Sequence, residues 1–177
     1  AHFLSMMEDA EASREVAVNA NNELGRIKMA VDGSSDGIAM ATGDGRFFYG
    51  NQTFASMFGY DLEQIADVDP RALFADRQVA DETVETVMAK GSLDREAEMI
   101  SQDGRRFPVH VRVDTVLDDE GGVIALIGVF TDITERKQAE EEMRQLNEHL
   151  ADQTRIANEL AAEAELANEA KSTFLAN

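Results

Sequence analysis

Side chains that could carry out covalent or metal chemistry are few in this sequence. It has no cysteine, which excludes disulfides, thiol catalysis, zinc–thiolate sites and iron–sulfur clusters. Its three histidines, His2, His110 and His149, lie far apart in the sequence. There is no nucleophile–base constellation, metal-ligand cluster or phosphate-binding loop that would indicate an enzyme. We therefore expect neither catalytic residues nor a metal site in this chain.

The densest group of possible metal ligands is a set of glutamates in the C-terminal part of the chain. Its members are Glu140, Glu141, Glu142, Glu163, Glu165 and Glu169. They lack the Glu-x-x-His spacing that directs ligands inward in di-iron helix bundles. The simpler interpretation of these residues is a solvated helix face.

The overall charge of the chain is strongly negative. Sixteen Lys and Arg against 35 Asp and Glu give a net charge of −19 at pH 7. Such a field repels nucleic-acid phosphates and anionic membrane surfaces. No segment approaches the roughly 18 apolar residues of a membrane-spanning helix, and the N-terminus lacks a signal peptide's pattern. We expect a cytoplasmic location without nucleic-acid or membrane contacts, and a membrane-anchored parent protein is compatible with this.

Two long helices are predicted at the ends of the chain. Apolar and small residues alternate in steps of three and four from residue 3 to residue 31, which is the spacing of a coiled-coil seam. The same spacing recurs in segment 135–177, which contains neither glycine nor proline. The seam residues predicted for a parallel dimer are Leu24, Ile27, Val31, Met143, Leu146, Leu150, Ala157, Leu160 and Phe174. Packing of the first helix on its own domain is the alternative interpretation.

Between the two helices the residue spacing changes to that of strands. The strands are predicted over 37–42, 46–50, 93–101, 106–117 and 123–131, with glycine-containing turns between paired strands. The last strand is apolar on both faces, which predicts that it is covered on both sides.

Short helices separate the first two strands from the last three. They are predicted over 52–58 with Asn51 as N-cap, over 61–65, and from Asp69-Pro70, with a longer helix over 78–89. The resulting architecture is a small α+β domain whose antiparallel sheet carries helices on one face.

Four motifs in this order resemble the PAS domain family. They are Asn51-Gln52-Thr53-Phe54, Phe58-Gly59-Tyr60, Asp103-Gly104-Arg105-Arg106-Phe107-Pro108-Val109 and Asp132-Ile133-Thr134-Glu135-Arg136. The resemblance covers roughly residues 30–138 and implies a five-stranded sensory and dimerisation domain. Some members hold a small molecule between the sheet and the helices. The resemblance also implies that Asp132, Ile133 and Thr134 transfer a signal from the sheet to the following helix.

The resemblance does not favour a bound cofactor. Flavin–thiol photosensors of the family need a cysteine, and haem-binding members take a histidine from the long helix, but segment 77–90 contains neither. His110 lies on the polar face of its strand. The residues expected to line the inner face are Ile38, Met40, Phe54, Phe74, Val84, Met88, Met99, Val111 and Leu126. Because these residues include no convergent polar group, a dry core filled by side chains is favoured, with a small apolar or flavin-like ligand as the alternative.

The last residues, Lys171-Ser172-Thr173-Phe174-Leu175-Ala176-Asn177, resemble the start of the phosphoacceptor helix of sensor histidine kinases. In that family the segment continues to the histidine that accepts the phosphate. The expected domains are an N-terminal coiled-coil helix over 1–32, a PAS domain over 33–133, a linker helix over 134–170 and a truncated phosphoacceptor helix over 171–177.

Together these features indicate a sensing and dimerisation module of a two-component histidine kinase. It is expected to form a parallel homodimer and to act through downstream kinase domains on a response regulator. A change in the PAS core would pass through Asp132, Ile133 and Thr134 to the coiled coil. The alternative is a ligand-free scaffold that only dimerises the kinase.

Overall fold

The structure is a computed structural model that describes the backbone of residues 2–175 and the side-chain environment of residues 13–172. The chain divides into two compact units after Ile133. The first unit contains α1 (His2–Asp32), β1 (Gly37–Thr42), β2 (Phe47–Gly50), α2 (Gln52–Phe58), two 3-10 helices (Leu62–Asp67 and Pro70–Leu73), α3 (Arg77–Lys90), β3 (Ser92–Ile100), β4 (Arg106–Leu117) and β5 (Val123–Asp132). The second unit is the single helix α4 (Thr134–Leu175).

The five strands form one antiparallel sheet in the order β2-β1-β5-β4-β3, which confirms the predicted fold class. The first and last strands of the sheet lie side by side, and Gly37 at the start of β1 pairs with Phe130 near the end of β5. The strand that follows α1 therefore lies beside the strand that precedes α4.

The helix ends follow the capping residues that the sequence indicates. The Asn51 side chain accepts a hydrogen bond from the Phe54 amide at the start of α2, and Gly59 ends that helix with a φ of 77°. Gly91 ends α3 in the same left-handed conformation, with a φ of 78°. Glycine adopts this conformation without the steric cost that a Cβ imposes, so both helices stop where predicted.

A cluster of phenylalanines forms the core between the sheet and α2. The Phe54 ring lies 4.9 Å from the Phe58 ring and 5.1 Å from the Phe130 ring, measured between centroids. Phe47 packs edge-on against Phe54 at 5.5 Å, and Phe107 lies 5.7 Å from Phe58. Tilted and edge-on aromatic pairs at these distances are favourable beyond the area that they bury.

The inward face of β1 is the opposite of the one expected. Ala39 and Ala41 are buried, whereas Ile38 and Met40 lie on the outer face and are partly exposed. The buried face of β1 consists of Gly37, Ala39 and Ala41, and Phe54 lies directly against Gly37. The prediction was wrong by one residue in phase, and a shift of one residue exchanges the two faces of a strand.

The prediction that β5 is covered on both sides is also wrong. Gly128 and Phe130 on its inner face are buried, but Ile127 and Val129 on the outer face are only partly buried. Ile124, near the start of the strand, is 56% exposed. Within the first unit the helices cover only one face of the sheet, so the outer face of β5 is partly exposed although its residues are apolar.

Candidate functional site

A cavity of about 320 Å³ lies between the sheet and α3. Its sheet side is formed by residues of β1, β4 and β5, and its opposite side by α3 together with Leu73 and Phe74. We call this space the inner cavity. Its volume is near the lower end of the range of small-molecule sites in proteins.

Small residues on the sheet create the space. Ala39, Ala41 and Gly128 line the inner cavity where larger side chains would fill it. At Gly128 an added Cβ would come within 2.8 Å of the Phe130 ring, which packs over it. The sequence favours a core filled by side chains, whereas the structure has an open volume of about 320 Å³ here. The absence of a bound ligand stays a prediction.

The interior of the cavity has one buried polar side chain among the described lining residues. Thr83, on α3, is 5% exposed, and its hydroxyl donates a hydrogen bond of 2.7 Å to the Val79 carbonyl oxygen. Because the hydroxyl proton is engaged there, the oxygen lone pairs are what Thr83 offers to a ligand.

Charged groups lie at the rim of the cavity, where it reaches solvent. Asp44, in the β1–β2 turn, has a side chain 57% exposed and pairs with Arg46 at 2.9 Å. Hydrogen bonding from the Thr42 hydroxyl, and then from Arg46, lowers the pKa of Asp44 below its usual value. Arg71, on the other side of the rim, has a side chain 40% exposed, and its Nε lies 3.0 Å from Asp81.

The structure brings together part of the predicted lining set. The members that line the cavity are Phe74, Val84, Met88, Val111 and Leu126. Phe54 and Met99 are fully buried in the adjoining core instead. Ile38 and Met40 do not reach the cavity, because they lie on the outer face of β1. A ligand-binding role for any of these residues stays a prediction.

Neither of the described histidines is among the residues that line the cavity. His110 is on the outer face of β4, and its Nε2 is 2.6 Å from Asp94 Oδ1 on β3. His149 lies in α4, where the side-chain amide of Gln153 is 3.0 Å from its ring. The His110 ring is therefore not placed to bind a group inside the cavity.

The predicted signal-transfer residues lie where the sheet ends and α4 begins. Ile133 is 5% exposed, and its amide donates a hydrogen bond of 3.1 Å to the Pro108 carbonyl oxygen on β4. Thr134 is the first residue of α4. Phe130, which lines the cavity, precedes Asp132 by two residues on β5, so one strand connects the cavity to this exit.

Arg105 connects the exit to α2. Its guanidinium lies 3.9 Å from the Asp132 carboxylate and donates a hydrogen bond of 3.3 Å to the Met57 carbonyl oxygen. The same group lies 4.2 Å from the centroid of the Phe107 ring. The sequence indicates Arg105 only as part of a motif, because Met57 and Asp132 are distant from it in the chain.

Asn51 forms a second junction, at the start of the domain. The sequence predicted only its capping role at α2 and not its other contacts. This side chain is fully buried and accepts hydrogen bonds from the amides of Ile38 and Phe54, each at 2.9 Å. Its amide group donates to the carbonyl oxygens of Val31 at 2.9 Å and Asp36 at 3.0 Å. One side chain thus joins the end of α1 to β1 and α2.

Two further hydrogen bonds attach the end of α1 to the domain. The Tyr49 hydroxyl donates to Asp32 at 3.1 Å, and the Thr53 hydroxyl donates to the Ser34 carbonyl oxygen at 2.7 Å. Burial, and then the neighbouring Asp32 carboxylate, raise the pKa of Tyr49 above its usual value. The end of α1 is therefore fixed to the sheet and α2.

The predicted seam of α4 is exposed in the single chain. Met143, Leu146, Leu150 and Leu160 are 60%, 54%, 49% and 61% exposed, and Ala157 is also exposed. Phe174 falls within α4, but its side chain lies outside the described residues. Ala176 and Asn177, at the end of the predicted phosphoacceptor segment, also lie outside them.

Ion pairs occupy the helix face opposite this seam. Arg144 pairs with Glu141 and Glu148, and Arg155 pairs with Asp152 at 3.2 Å and Glu159 at 2.9 Å. Hydrogen bonds from Arg144, and then Gln145, lower the pKa of Glu141 to about 2. A charged face opposite an apolar seam is typical of a helix that pairs with another helix.

The seam of α1 is exposed as well. Leu24 and Ile27 are 65% and 56% exposed, and Val31 is partly buried where α1 reaches the domain. Side chains from residue 13 to residue 30 are exposed throughout, so packing of α1 on its own domain is not what the structure has. The members of the seam before residue 13 lie outside the described side chains.

The sheet, the helices on one face and the exit motif agree with a known family. The family described as "PAS domain" matches residues 35–135. The chain belongs to the PAS domain family. A curated relative, Sporulation kinase C of Bacillus subtilis (strain 168), is 30% identical over 123 residues, which are 67% of this chain. The match covers 29% of that kinase, so the chain spans under a third of the relative's length.

Solved structures of PAS and related domains have the same fold. A PAS domain from Colwellia psychrerythraea is 20% identical with a TM-score of 0.57, over 63% of this chain and 98% of that structure. An RNA-binding light-oxygen-voltage receptor is 24% identical with a TM-score of 0.60, over 70% of this chain and 37% of the receptor. A domain of a sensory box sensor histidine kinase/response regulator from Geobacter sulfurreducens is 17% identical with a TM-score of 0.53, over 62% of this chain and 94% of that structure.

None of the helices within residues 2–175 combines the length and apolar character needed to cross a membrane. Over the same described part of the chain, no group of three or more His, Asp or Glu side chains is placed to hold a metal ion.

Proposed function

We propose that this PAS domain is the sensing and dimerisation module of a two-component sensor histidine kinase. The observation that carries the proposal is the continuous connection from the inner cavity along β5 to Ile133 and into α4, a 42-residue helix with an exposed seam. Similarity to Sporulation kinase C supports the kinase context. The kinase domains, and the response regulator that they phosphorylate, then belong to the longer parent protein.

The exposed seams support a parallel homodimer. An isolated helix of this kind is marginal in water, because most helix stability in proteins comes from packing an apolar face. A second copy of α4 in the same direction places each seam residue opposite its own counterpart. Alanine layers bury little area, so the seam holds the helices together weakly and permits two arrangements of similar free energy.

The relay begins at Phe130, which lines the cavity and lies two residues before Asp132. A change in the cavity that moves the end of β5 alters the Ile133–Pro108 hydrogen bond and the Arg105–Asp132 contact. Both contacts lie at the end of β5, directly before α4 begins. The resulting rotation or shift of the helices is the signal delivered to the phosphoacceptor helix.

The experiment inserts residues after Thr154 in the parent kinase. One added residue changes the heptad phase. Seven added residues insert one whole heptad and therefore keep the phase, although the helix becomes longer. We expect the one-residue insertion to change autophosphorylation and its signal response, and the seven-residue insertion to preserve them. Unchanged activity in the one-residue variant, or equal loss in both, contradicts a phase-coupled relay.

A further inference from the structure

The chemistry of the inner cavity defines the kind of molecule that it accepts. We propose that it binds a neutral, largely apolar molecule about the size of two fused rings, with a hydrogen-bond donor directed at Thr83. The inference rests on the proposed sensory function and names the class of ligand for that same site.

The size limit follows from the open volume of about 320 Å³. Small-molecule sites range from roughly 300 to 1,000 Å³ and enclose most of the ligand surface. The phenylalanine cluster closes the cavity on the α2 side, where Phe130 both lines the cavity and packs against Phe54 at 5.1 Å. A compact ligand therefore fits without displacing the core.

The charge limit follows from the lining residues. The interior is lined by apolar side chains apart from Thr83, as represented by Val87, Val111 and Leu126. The charged lining residues among those described, Asp44 and Arg71, lie at the rim and already have ion-pair partners. A charged group placed inside would lose its hydration without gaining a counter-charge, which proteins rarely tolerate.

The hydrogen-bond preference follows from Thr83. Its hydroxyl donates to the Val79 carbonyl oxygen at 2.7 Å, so while that bond is kept the hydroxyl oxygen accepts a hydrogen bond from a ligand. A ligand N–H or O–H donates a hydrogen bond to that oxygen. A ligand that offers only an acceptor places its own acceptor atom against the Thr83 oxygen, and no hydrogen bond forms between them. The site therefore discriminates between two molecules of the same shape that differ in one donor.

A matched set of probes tests the charge limit and the donor preference separately. Isothermal titration calorimetry of the purified chain is performed with 2-naphthol, 2-methoxynaphthalene and 2-naphthoate at pH 7. We expect 2-naphthol to bind, 2-methoxynaphthalene to bind roughly 10-fold more weakly because it lacks the donor, and 2-naphthoate to bind at least about 100-fold more weakly because it is charged.

The variant Thr83→Val locates the donor contact. It keeps the shape of the side chain and removes the acceptor, so we expect 2-naphthol and 2-methoxynaphthalene to bind it equally. Thr154→Val is the control, since the Thr154 hydroxyl makes the same kind of bond, to the Leu150 carbonyl oxygen at 2.8 Å, on an exposed part of α4. This control should retain the discrimination, and circular dichroism verifies that both variants are folded.

Three outcomes overturn the inference. Equal binding of 2-naphthol and its methyl ether to the unsubstituted chain contradicts the donor preference, and tighter binding of 2-naphthoate contradicts the charge limit. Absence of binding by all three probes contradicts an accessible cavity and favours the ligand-free scaffold. None of these outcomes alters the phase dependence of α4, so the insertion experiment still tests the relay on its own.

Discussion

At the residue scale, Asn51 holds several segments of the domain together. Its four hydrogen bonds satisfy two backbone amides and two backbone carbonyl groups from four different segments, and the side chain is fully buried. Removing it deprives the amides of Ile38 and Phe54 and the carbonyl oxygen of Asp36 of this partner, whereas the carbonyl oxygen of Val31 still accepts from the Ser34 amide. The cost of such unpaired groups exceeds the net value of the hydrogen bonds themselves.

The variant Asn51→Ala should lower the free energy of unfolding by about 2–4 kcal/mol, as expected for the loss of a buried hydrogen-bond network. Asn51→Asp keeps the acceptor oxygen for Ile38 and Phe54 but loses the donor group for Val31 and Asp36. Urea unfolding provides the measurement, with the exposed Gln52→Ala as control. A decrease below about 0.5 kcal/mol for Asn51→Ala would show that the network is not needed.

Two glycines provide a second comparison at this scale. A Cβ on Gly50 would lie 2.6 Å from Ile65 Cδ1 and 3.1 Å from Phe54 Cδ1, whereas a Cβ on Gly25 meets nothing within 4 Å. We expect Gly50→Ala to destabilise the chain by about 1–3 kcal/mol through overpacking. Gly25→Ala, in the middle of α1, should stabilise the helix by up to about 1 kcal/mol. Thermal unfolding that ranks the two variants in the opposite order contradicts this packing.

At the element scale, local patterns were sufficient for most helices and strands. Asn51, Gly59 and Gly91 marked helix ends because capping depends on neighbouring residues, and β4 has the limits predicted for it. The inward face of β1 was missed because contacts with distant segments decide it, such as the approach of Phe54 to Gly37. The inner cavity was missed for the same reason, since Ala39 and Gly128 create space only once the strands are aligned.

The two exposed faces of α4 give a matched prediction. Leu160 lies on the seam and Leu166 lies off it, yet they are 61% and 67% exposed in the single chain. Burial of a leucine contributes about 1.5–3 kcal/mol, and a symmetric dimer loses two of them. Leu160→Asp should therefore weaken dimerisation at least about 100-fold.

Leu166→Asp introduces the same charge at nearly the same exposure and should change dimerisation less than about 3-fold. Sedimentation equilibrium of both variants and the unsubstituted chain gives the dissociation constants. A seam in a different phase from the proposed one would weaken the Leu166 variant instead, which would contradict the assignment.

At the scale of the whole molecule, charge opposes association. Each copy carries −19 at pH 7, and the residues that flank the seam between Met143 and Ala167 include few opposite charges that could pair across it. Like charges repel over the Debye length, which is about 10 Å in 0.1 M salt and about 3 Å in 1 M salt. A dimer of two acidic chains held together by an apolar seam is therefore expected to become more stable as salt is added.

Light scattering at increasing sodium chloride provides this measurement. The dimer fraction at a fixed low micromolar chain concentration should rise between roughly 0.05 and 0.5 M salt, because screening weakens the repulsion. A dimer fraction that falls over this range would indicate that ion pairs between copies, and not the apolar seam, hold the chains together.

The most direct test of the account is disulfide cross-linking between two copies of α4. The chain has no cysteine, so a single introduced thiol reports one position without background. Leu150→Cys lies on the proposed seam, and Glu148→Cys lies on the face that holds the Arg144 ion pair. Oxidation should join two copies through position 150 and not through position 148, because only a parallel seam places residue 150 beside its own counterpart. Equal cross-linking at both positions, or none at position 150, would contradict the parallel dimer through which the signal is proposed to pass.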